Sequence, residues 1–314
     1  MQHIVFLDRG SIEARLRAPT FAHRWTDYEA TGPADIVARL QDAGVAVVNK
    51  VVLDASVLAQ LPQLRLIALC ATGSNNVDLN YCREHGIAVA NIRGYAVHTV
   101  PEHVFMLMLA LRRQLPAYQA DVCAGRWQRA AQFCFFDHPI RDLYGATLGI
   151  VGFGVLGQAV AALAAAFGMS VLVAEHKGRA PRAGFVAFDT VLAQADVISL
   201  HAPLTPATQH LIGAPELARM RKDAILINCG RGGLVDEQAL AAALRAGRLG
   251  GAGIDVLSDE PPRRGNPLLA DDLPNLIVTP HIAWASRDAM QIMADQLIDN
   301  IEAFFAGQGQ NRLV

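Results

Sequence analysis

The stretch of sequence that decides the fold is Gly145-Ala-Thr-Leu-Gly-Ile-Val-Gly152-Phe-Gly154-Val-Leu-Gly157. Its apolar run predicts a buried strand, the closely spaced glycines predict a sharp turn, and the apolar residues that follow predict a helix. Gly152 permits the tight turn, Gly154 lets a ligand approach the backbone, and Gly157 lets helix and strand pack closely. Such a turn suits a pyrophosphate, because the N–H groups at the start of a helix point at it. A glycine turn that serves packing alone is the alternative interpretation.

The next predicted strand, residues 170–174, is followed directly by an acidic residue. Glu175 lies 18 residues after the glycine turn, where a carboxylate accepts hydrogen bonds from the ribose hydroxyls of a bound dinucleotide. The same charge repels the 2′-phosphate of NADP, although His176, Lys177 and Arg179 follow and could neutralise that phosphate. The sequence therefore predicts NAD as the coenzyme, with NADP as the alternative.

Short apolar runs alternate with helical patterns on both sides of the glycine turn. Before it, strands and helices are predicted in turn at residues 4–7, 34–43, 45–48, 56–61, 66–69, 79–85 and 87–90. After it, further strands are predicted at residues 197–200, 225–228, 253–256 and 276–279. Strands separated by helices imply right-handed crossovers, so we expect an α/β fold of two Rossmann-like domains with parallel sheets.

Two long helices indicate where the domains meet. The first is predicted at residues 100–113, with Pro101 and Glu102 in its first turn, and the second at residues 285–305. We place an NAD-binding Rossmann domain at residues 99–287. It is inserted into a flavodoxin-like substrate domain of residues 1–98 plus 288–314, and we expect the active site in the interdomain cleft.

Length, charge and cysteine usage limit the class of protein. The 314 residues, 52% of them hydrophobic, suffice for two domains that each bury a core. A formal net charge of -2 with interspersed signs argues against binding to nucleic acid or an anionic membrane. The five cysteines are never spaced C-x-x-C, so we interpret them as thiols in a reducing compartment. We expect a cytoplasmic protein with small-molecule partners and no metal site.

Three charged residues lie at the ends of predicted strands in the second domain, where open α/β sheets bind ligands. Arg231 follows the strand at 225–228 and offers a fork of donors that suits a 2-keto acid. His281 titrates near neutral pH and can protonate an alkoxide, and Glu260 can orient its ring. Taken singly, each has another interpretation: a surface ion pair, a solvated carboxylate, or a structural histidine.

Together with the glycine turn, these motifs closely resemble the D-isomer-specific 2-hydroxyacid dehydrogenase family over essentially the whole chain. The resemblance implies that Arg231 binds the substrate, that His281 is the acid–base group, and that Glu260 is its partner. It implies cofactor binding by Gly152, Gly154, Val155, Leu156, Gly157, Glu175, His201, Ala202, Pro203, Thr208, Cys229, Gly230, Arg231, Asp255 and His281. Asp255 is implied to contact the nicotinamide carboxamide side of the cofactor.

The first domain contributes to the resemblance through Ala71-Thr-Gly-Ser-Asn-Asn-Val-Asp78. In the family, the matching loop holds the substrate carboxylate with its backbone amides. Thr72, Gly73, Ser74, Arg231, His281 and Trp284 are therefore the expected substrate-binding residues. A simple turn before a helix remains an alternative for the loop, and core packing remains one for Trp284.

Two departures from the commoner family pattern point to one branch. Ala283-Trp284 follows the histidine where the family commonly has a glycine, and Glu175 replaces the commoner aspartate. With the tract at residues 132–139, these features resemble the bacterial glycerate dehydrogenase, or hydroxypyruvate reductase, branch. The expected reaction is hydroxypyruvate to D-glycerate. Glyoxylate, another 2-keto acid or phosphite is the alternative substrate, and a dinucleotide-sensing corepressor is the alternative from another class.

The resemblance also implies a homodimer, assembled through the nucleotide domain and the segment near residues 99–144. The apolar helix at residues 104–111 and the aromatics Phe133, Phe135 and Phe136 could supply that surface. The same residues could equally form the core of their own domain.

Overall fold

Eleven β-strands build the sheets of the chain, in a computed structural model that describes residues 1–314. The strands are β1 (Gln2–Phe6), β2 (His23–Asp27), β3 (Val45–Val48), β4 (Leu66–Leu69), β5 (Ala88–Ala90), β6 (Thr147–Val151), β7 (Ser170–Ala174), β8 (Val197–Leu200), β9 (Ile225–Asn228), β10 (Gly251–Ile254) and β11 (Leu276–Val278).

Ten α-helices connect and cover the strands. They are α1 (Ile36–Leu40), α2 (Ala55–Leu58), α3 (Leu79–His85), α4 (Thr99–Arg112), α5 (Leu115–Cys123), α6 (Val155–Ala166), α7 (Phe188–Gln194), α8 (Ala214–Arg219), α9 (Glu237–Arg245) and α10 (Arg287–Phe305). Short 3₁₀ turns occur at Arg9–Ser11, Pro33–Asp35, Gly232–Leu234 and Pro267–Leu269.

The chain divides into a first unit of Met1–Tyr95 plus Ala285–Val314 and a second unit of Ala96–Trp284. The sequence places both boundaries three residues later, after residues 98 and 287. The difference follows from the helix ends. The Ala96 carbonyl accepts from Val100 N–H at the start of α4, and the Ser286 side chain accepts from Ala289 N–H at the start of α10. Each helix therefore brings its preceding residues into its own unit.

The sheet of the first unit has five parallel strands in the order β2-β1-β3-β4-β5. This is a flavodoxin-like order, as expected for the substrate domain. β3, β4 and β5 are buried along their whole length, because strands of a parallel sheet are covered on both faces. β2 is an edge strand that the sequence did not predict.

The sheet of the second unit has six parallel strands in the order β11-β10-β9-β8-β6-β7. An isolated parallel bridge between Ala174 and Val186 extends the sheet beyond β7. If Val186 is counted as the third strand, the order from Val186 to β10 is that of the classical dinucleotide-binding fold, and β11 is an additional edge strand. The strand order reverses between β6 and β8, which confirms the predicted Rossmann-like domain and places its ligand crevice at the carboxyl ends of these two strands.

Helix α4 packs on β9, β10 and β11. It buries its apolar face there, and Val104, Leu107 and Met108 are fully enclosed. Gly253 in β10 makes the approach possible, since a Cβ on it would lie 3.0 Å from Leu107 Cβ. The helix predicted as a possible dimer surface is therefore mainly core of its own unit.

Candidate active site

The glycine turn lies at the point where the strand order of the second unit reverses. Gly152 has a φ of +94°, and a Cβ on it would lie 2.5 Å from the backbone nitrogen of Ala202. The turn after β6 thus touches the segment after β8. A Cβ on Gly157 would lie 2.3 Å from the Gly152 carbonyl oxygen, whereas nothing lies within 4 Å of a Cβ on Gly154. The backbone is open where a pyrophosphate would sit against the first turn of α6, so the turn fits a dinucleotide.

The segment after β8 carries a histidine that is held neutral. Burial lowers the pKa of His201 to about 4, and its Nε2 lies 2.9 Å from the hydroxyl of buried Ser199. The Thr208 hydroxyl closes the following loop by donating to the Pro203 carbonyl at 2.7 Å. His201 is therefore a poor proton donor at neutral pH.

Glu175 follows β7 and its side chain is 4% exposed. Its Oε1 accepts from the backbone N–H of His176 at 2.8 Å and lies 2.7 Å from His176 Nδ1. Arg182 approaches from the loop beyond. These contacts, above all the His176 backbone bond, lower the pKa of Glu175 to about 2. The carboxylate is charged at any pH at which a coenzyme would be assayed.

The basic residues that could neutralise a 2′-phosphate are partly engaged elsewhere. Lys177 Nζ donates to Glu216 Oε1 at 2.8 Å, and the His176 ring faces Glu175. Arg182, which the sequence motif does not include, lies 3.5 Å from the Glu175 carboxylate. This arrangement favours the unphosphorylated ribose of NAD.

Arg231 stands in a turn that Asn228 holds at both ends. Buried Asn228 donates to the Arg231 carbonyl at 2.9 Å and accepts from Gly230 N–H at 3.0 Å. A Cβ on Gly232 would lie 2.0 Å from the Leu257 carbonyl carbon, so the turn after β9 lies against the loop after β10. The Arg231 guanidinium donates to the Gly230 carbonyl at 2.7 Å and forms no ion pair with a carboxylate of the chain. Its fork keeps donors for an anionic ligand.

Glu260 and His281 form the closest acid–base pair of the site. His281 Nδ1 lies 2.6 Å from Glu260 Oε2, and Glu260 Oε1 accepts from Leu257 N–H at 2.8 Å. The His281 side chain is 24% exposed and the Glu260 side chain 33%. Because Nδ1 faces the carboxylate, Nε2 is the nitrogen left for a substrate.

The backbone of His281 is in the left-handed region, with a φ of +56°, which costs a non-glycine residue about 1 kcal/mol. The carboxylate of Asp255 stabilises this turn. It is 1% exposed and accepts from Ile282 N–H and Ala283 N–H, each at 2.9 Å. Three of the four lone-pair positions of Asp255 are used inside the chain, since Thr279 also donates to it at 2.6 Å. Its predicted cofactor contact stays a prediction.

The structure brings together the charged residues that follow neighbouring strands. Arg231 follows β9, Glu260 lies in the loop after β10, and His281 follows β11, at the carboxyl edge of one sheet. Trp284 Nε1 donates to the His281 carbonyl at 2.9 Å, so the indole also fastens this turn. Cys229 lies beside Arg231 in sequence, and burial raises the pKa of its thiol well above the ordinary value.

The loop with the other predicted substrate residues belongs to the first unit. The Thr72 hydroxyl donates to the Ile92 carbonyl at 2.7 Å, and Asn91 donates to the Thr72 carbonyl at 2.8 Å. The loop is fastened to the segment after β5. The assignment of Gly73 and Ser74 to the substrate carboxylate remains a prediction.

Sequence reasoning missed the polar residues behind the site. These residues hold the turns but come from separate parts of the sequence: Asn228 ends β9, Thr279 directly follows β11, and His103 lies on α4. The one available signal was a histidine inside the apolar run of α4. No group of three or more His, Cys, Asp or Glu side chains is placed to bind a metal ion.

Comparison with known proteins agrees with this geometry. Residues 105–283 match the family model of the D-isomer specific 2-hydroxyacid dehydrogenase, NAD binding domain. The chain is 54% identical to a glycerate dehydrogenase of Methylorubrum extorquens over 98% of both chains. The chain belongs to the D-isomer specific 2-hydroxyacid dehydrogenase family.

Other members of the family extend the comparison. A hydroxypyruvate reductase of Blautia hydrogenotrophica is 36% identical, covering 90% of this chain and 88% of that protein. The crystal structure of a D-lactate dehydrogenase from Aquifex aeolicus, complexed with NAD and lactic acid, superposes with a TM-score of 0.80 at 27% identity and covers 99% of both chains. The predicted family, NAD coenzyme and oxidoreductase class are confirmed. No helix of this dehydrogenase is both long and apolar enough to cross a membrane.

Replacing Glu175 with glutamine should shift the coenzyme preference of the dehydrogenase toward NADPH. The variant keeps an acceptor oxygen but removes the charge that repels a 2′-phosphate, and it leaves His176 and Arg182 without their carboxylate. We expect the ratio of kcat/KM for NADPH to that for NADH to rise about 10-fold or more, a change of about 1.4 kcal/mol. Initial rates with the two coenzymes measure this ratio.

Asp189→Asn is the matched control for this change. Asp189 is an exposed carboxylate of the same unit, on α7, and pairs with Arg219 at 2.7 Å. Its replacement should leave the ratio unchanged. If Glu175→Gln also leaves the ratio unchanged, Glu175 does not face the ribose.

Proposed function

We propose that the protein reduces hydroxypyruvate to D-glycerate with NADH. The observation that carries the proposal is the pairing of His281 Nδ1 with Glu260 Oε2 at 2.6 Å, on the strand edge that also carries Arg231. These three residues, Arg231, Glu260 and His281, are also the ones by which the sequence resembles the family. The 54% identity to a glycerate dehydrogenase over nearly the full chain supports the substrate assignment.

His281 is the group that donates the proton in the reduction and accepts it in the reverse reaction. With Nδ1–H held by Glu260, the imidazole directs Nε2 outward, and a protonated Nε2 donates to the oxygen that becomes the hydroxyl of the product. NADH, when bound at the glycine turn, supplies the hydride. The Glu260 carboxylate stabilises the imidazolium, and its second oxygen is fixed by Leu257 N–H. In the reverse direction, the neutral ring takes the proton from the hydroxyl of a 2-hydroxy acid.

Arg231 holds the substrate for this transfer. No carboxylate of the chain pairs with its guanidinium, so the carboxylate of a 2-keto acid can form charge-assisted hydrogen bonds with it. The same fork polarises the carbonyl and stabilises the charge that develops on its oxygen. We propose that the amides of Gly73 and Ser74 add to carboxylate binding, a role that rests on the family resemblance.

A panel of keto acids tests the substrate assignment. The ratio kcat/KM with NADH should be higher for hydroxypyruvate than for glyoxylate or pyruvate, because the relative that is 54% identical over 98% of both chains is a glycerate dehydrogenase. A preference for glyoxylate would move the assignment to the glyoxylate reductases, which also occur among the relatives at 36% identity. Absence of turnover with every keto acid would overturn the proposal.

We further propose that the protein is a homodimer whose contact surface includes the irregular segment of residues 126–144. Phe133 and Phe136 are 88% and 82% exposed, an unusual exposure for neighbouring aromatic residues in a chain that functions alone. Phe135 instead packs beside Tyr118, with ring centroids 5.6 Å apart, so it belongs to its own unit. A cytoplasmic location is part of the same proposal and is supported by the five free cysteines.

The double substitution Phe133→Asp with Phe136→Asp should convert the dimer into a monomer. Two charges in an apolar interface would remain unpaired on association. Sedimentation velocity should show half the native mass. Ile292→Asp, on the exposed side of α10, is the control and should leave the mass unchanged. A native protein that sediments as a monomer would refute the proposed dimer.

A further inference from the structure

A partly buried histidine on α4 lies behind the turn that carries His281. The side chain of His103 is 12% exposed, and its Nε2 lies 3.6 Å from Asp255 Oδ1. The same nitrogen lies 3.0 Å from the hydroxyl oxygen of Thr279. The mechanism proposed above gives His103 no part in proton transfer or substrate binding.

The directions of these hydrogen bonds follow from the number of available protons. The Thr279 hydroxyl has one proton and donates it to the Asp255 carboxylate at 2.6 Å. Thr279 must therefore accept from His103. Burial lowers the pKa of His103, although the nearby Asp255 opposes this, so the neutral ring carries its single proton on Nε2. His103, Thr279 and Asp255 then form a chain in which each donor points toward the carboxylate.

The series of hydrogen bonds from His103 through Thr279 to Asp255 ends at the turn that carries His281. Asp255 accepts from the amides of Ile282 and Ala283, directly after His281 with its φ of +56°. One helical turn before His103, Thr99 donates to the Ala283 carbonyl at 3.2 Å. Residues four apart lie on one helix face, so this face of α4 fastens the turn at two points.

We propose that His103 is a positioning residue, which fixes the Thr279 hydroxyl on Asp255 and thereby holds His281 in line with Glu260. The inference rests on the proposed function, because the placed group is the acid–base group of that reaction. Without the imidazole donor, the Thr279 hydroxyl can rotate away from the carboxylate, and the left-handed turn loses part of its support.

Two substitutions separate the hydrogen bond from the packing of the ring. Glutamine at position 103 places an N–H donor at about the reach of Nε2, whereas methionine has a similar length and volume without a donor. His103→Met should lower kcat about 10-fold or more, as small displacements of catalytic groups do. His103→Gln should keep kcat near the native value. Binding of NADH, followed by fluorescence titration, should be unchanged in both.

A double-mutant cycle tests the path through Thr279. Thr279→Val removes the hydroxyl that links His103 to Asp255. Adding His103→Met to this variant should therefore cause no further loss of kcat. Effects that multiply would show that His103 acts by a separate route and would overturn the proposal. Equal kcat in His103→Met and His103→Gln would overturn it as well.

A readout without turnover keeps this test independent of the proposed reaction. The proton between His281 Nδ1 and Glu260 should give a low-field imidazole resonance in the NMR spectrum of the full chain, since that contact is 2.6 Å long. The resonance should persist in His103→Gln and be lost or broadened in His103→Met. Its persistence in both variants would refute the positioning role, whether or not the protein reduces keto acids.

Discussion

Replacing His281 with alanine is expected to lower kcat for keto-acid reduction by about 10²- to 10⁴-fold, the contribution of a positioned general acid. The 2.6 Å contact with Glu260 fixes the ring so that Nε2 can donate, and His201 cannot replace it, because burial lowers the pKa of His201 to about 4. The affinity for NADH should change little, since the imidazole acts on the substrate oxygen. Steady-state rates and a fluorescence titration measure the two effects.

His210→Ala is the matched control for this variant. His210 is an exposed histidine of the same unit and also has a positive φ, of 48°. Alanine at either position therefore carries a similar backbone cost, and thermal unfolding should change by a similar amount. Only the His281 variant should lose turnover. A His281→Ala protein that is folded and retains native turnover would remove His281 from the chemistry.

Replacing Arg231 with lysine should lower kcat/KM for the keto acid by about 10²- to 10³-fold, as the loss of a transition-state donor does. Lysine keeps the charge but loses the planar fork that binds a carboxylate with two parallel hydrogen bonds. Because the fork acts on both the bound acid and the developing charge, KM should rise and kcat should fall together. Steady-state kinetics with hydroxypyruvate at saturating NADH separate the two parameters.

A rescue experiment and a control variant test whether the effect is specific to the guanidinium of Arg231. Free guanidinium should restore part of the activity of Arg231→Ala. The hydrogen bonds of Asn228 to the backbone of the turn remain in this variant, so the space left by the side chain should persist and admit guanidinium. Arg219→Lys, an exposed arginine of the same unit paired with Asp189, should behave as native. A change in KM alone for Arg231→Lys would limit Arg231 to substrate binding and contradict its role in the transition state.

The strands that could be predicted from the sequence are those that are buried, because burial requires a recognisable run of apolar residues. β3, β8 and β9 are buried along their length and mostly apolar, because both faces of a parallel sheet are covered. The edge strand β2, His23-Arg-Trp-Thr-Asp27, is half-exposed and mostly polar. It has no periodicity that distinguishes it from a loop, so its pairing with β1 follows only from the three-dimensional structure.

The charged residues of the site could be predicted because each follows a strand, and parallel strands deliver their carboxyl ends to one edge. The residues behind them could not. His103 and Thr279 are 176 positions apart in the sequence, and neither belongs to a recognisable local motif. Asp255 matches a cofactor contact by resemblance, whereas its carboxylate is occupied mainly by the amides of the His281 turn. Only packing reveals which partner a buried polar group uses.

Transfer of the hydride from NADH to the keto acid can be followed directly with an isotope label. Hydroxypyruvate is incubated with NADH carrying deuterium at both C4 positions, and the product is examined by mass spectrometry and chiral chromatography. The proposed reaction yields D-glycerate with one deuterium bonded to C2; the native protein should form it, and His281→Ala should form it much more slowly. Glycerate without deuterium, L-glycerate, or no reduction by folded protein that binds NADH would contradict it.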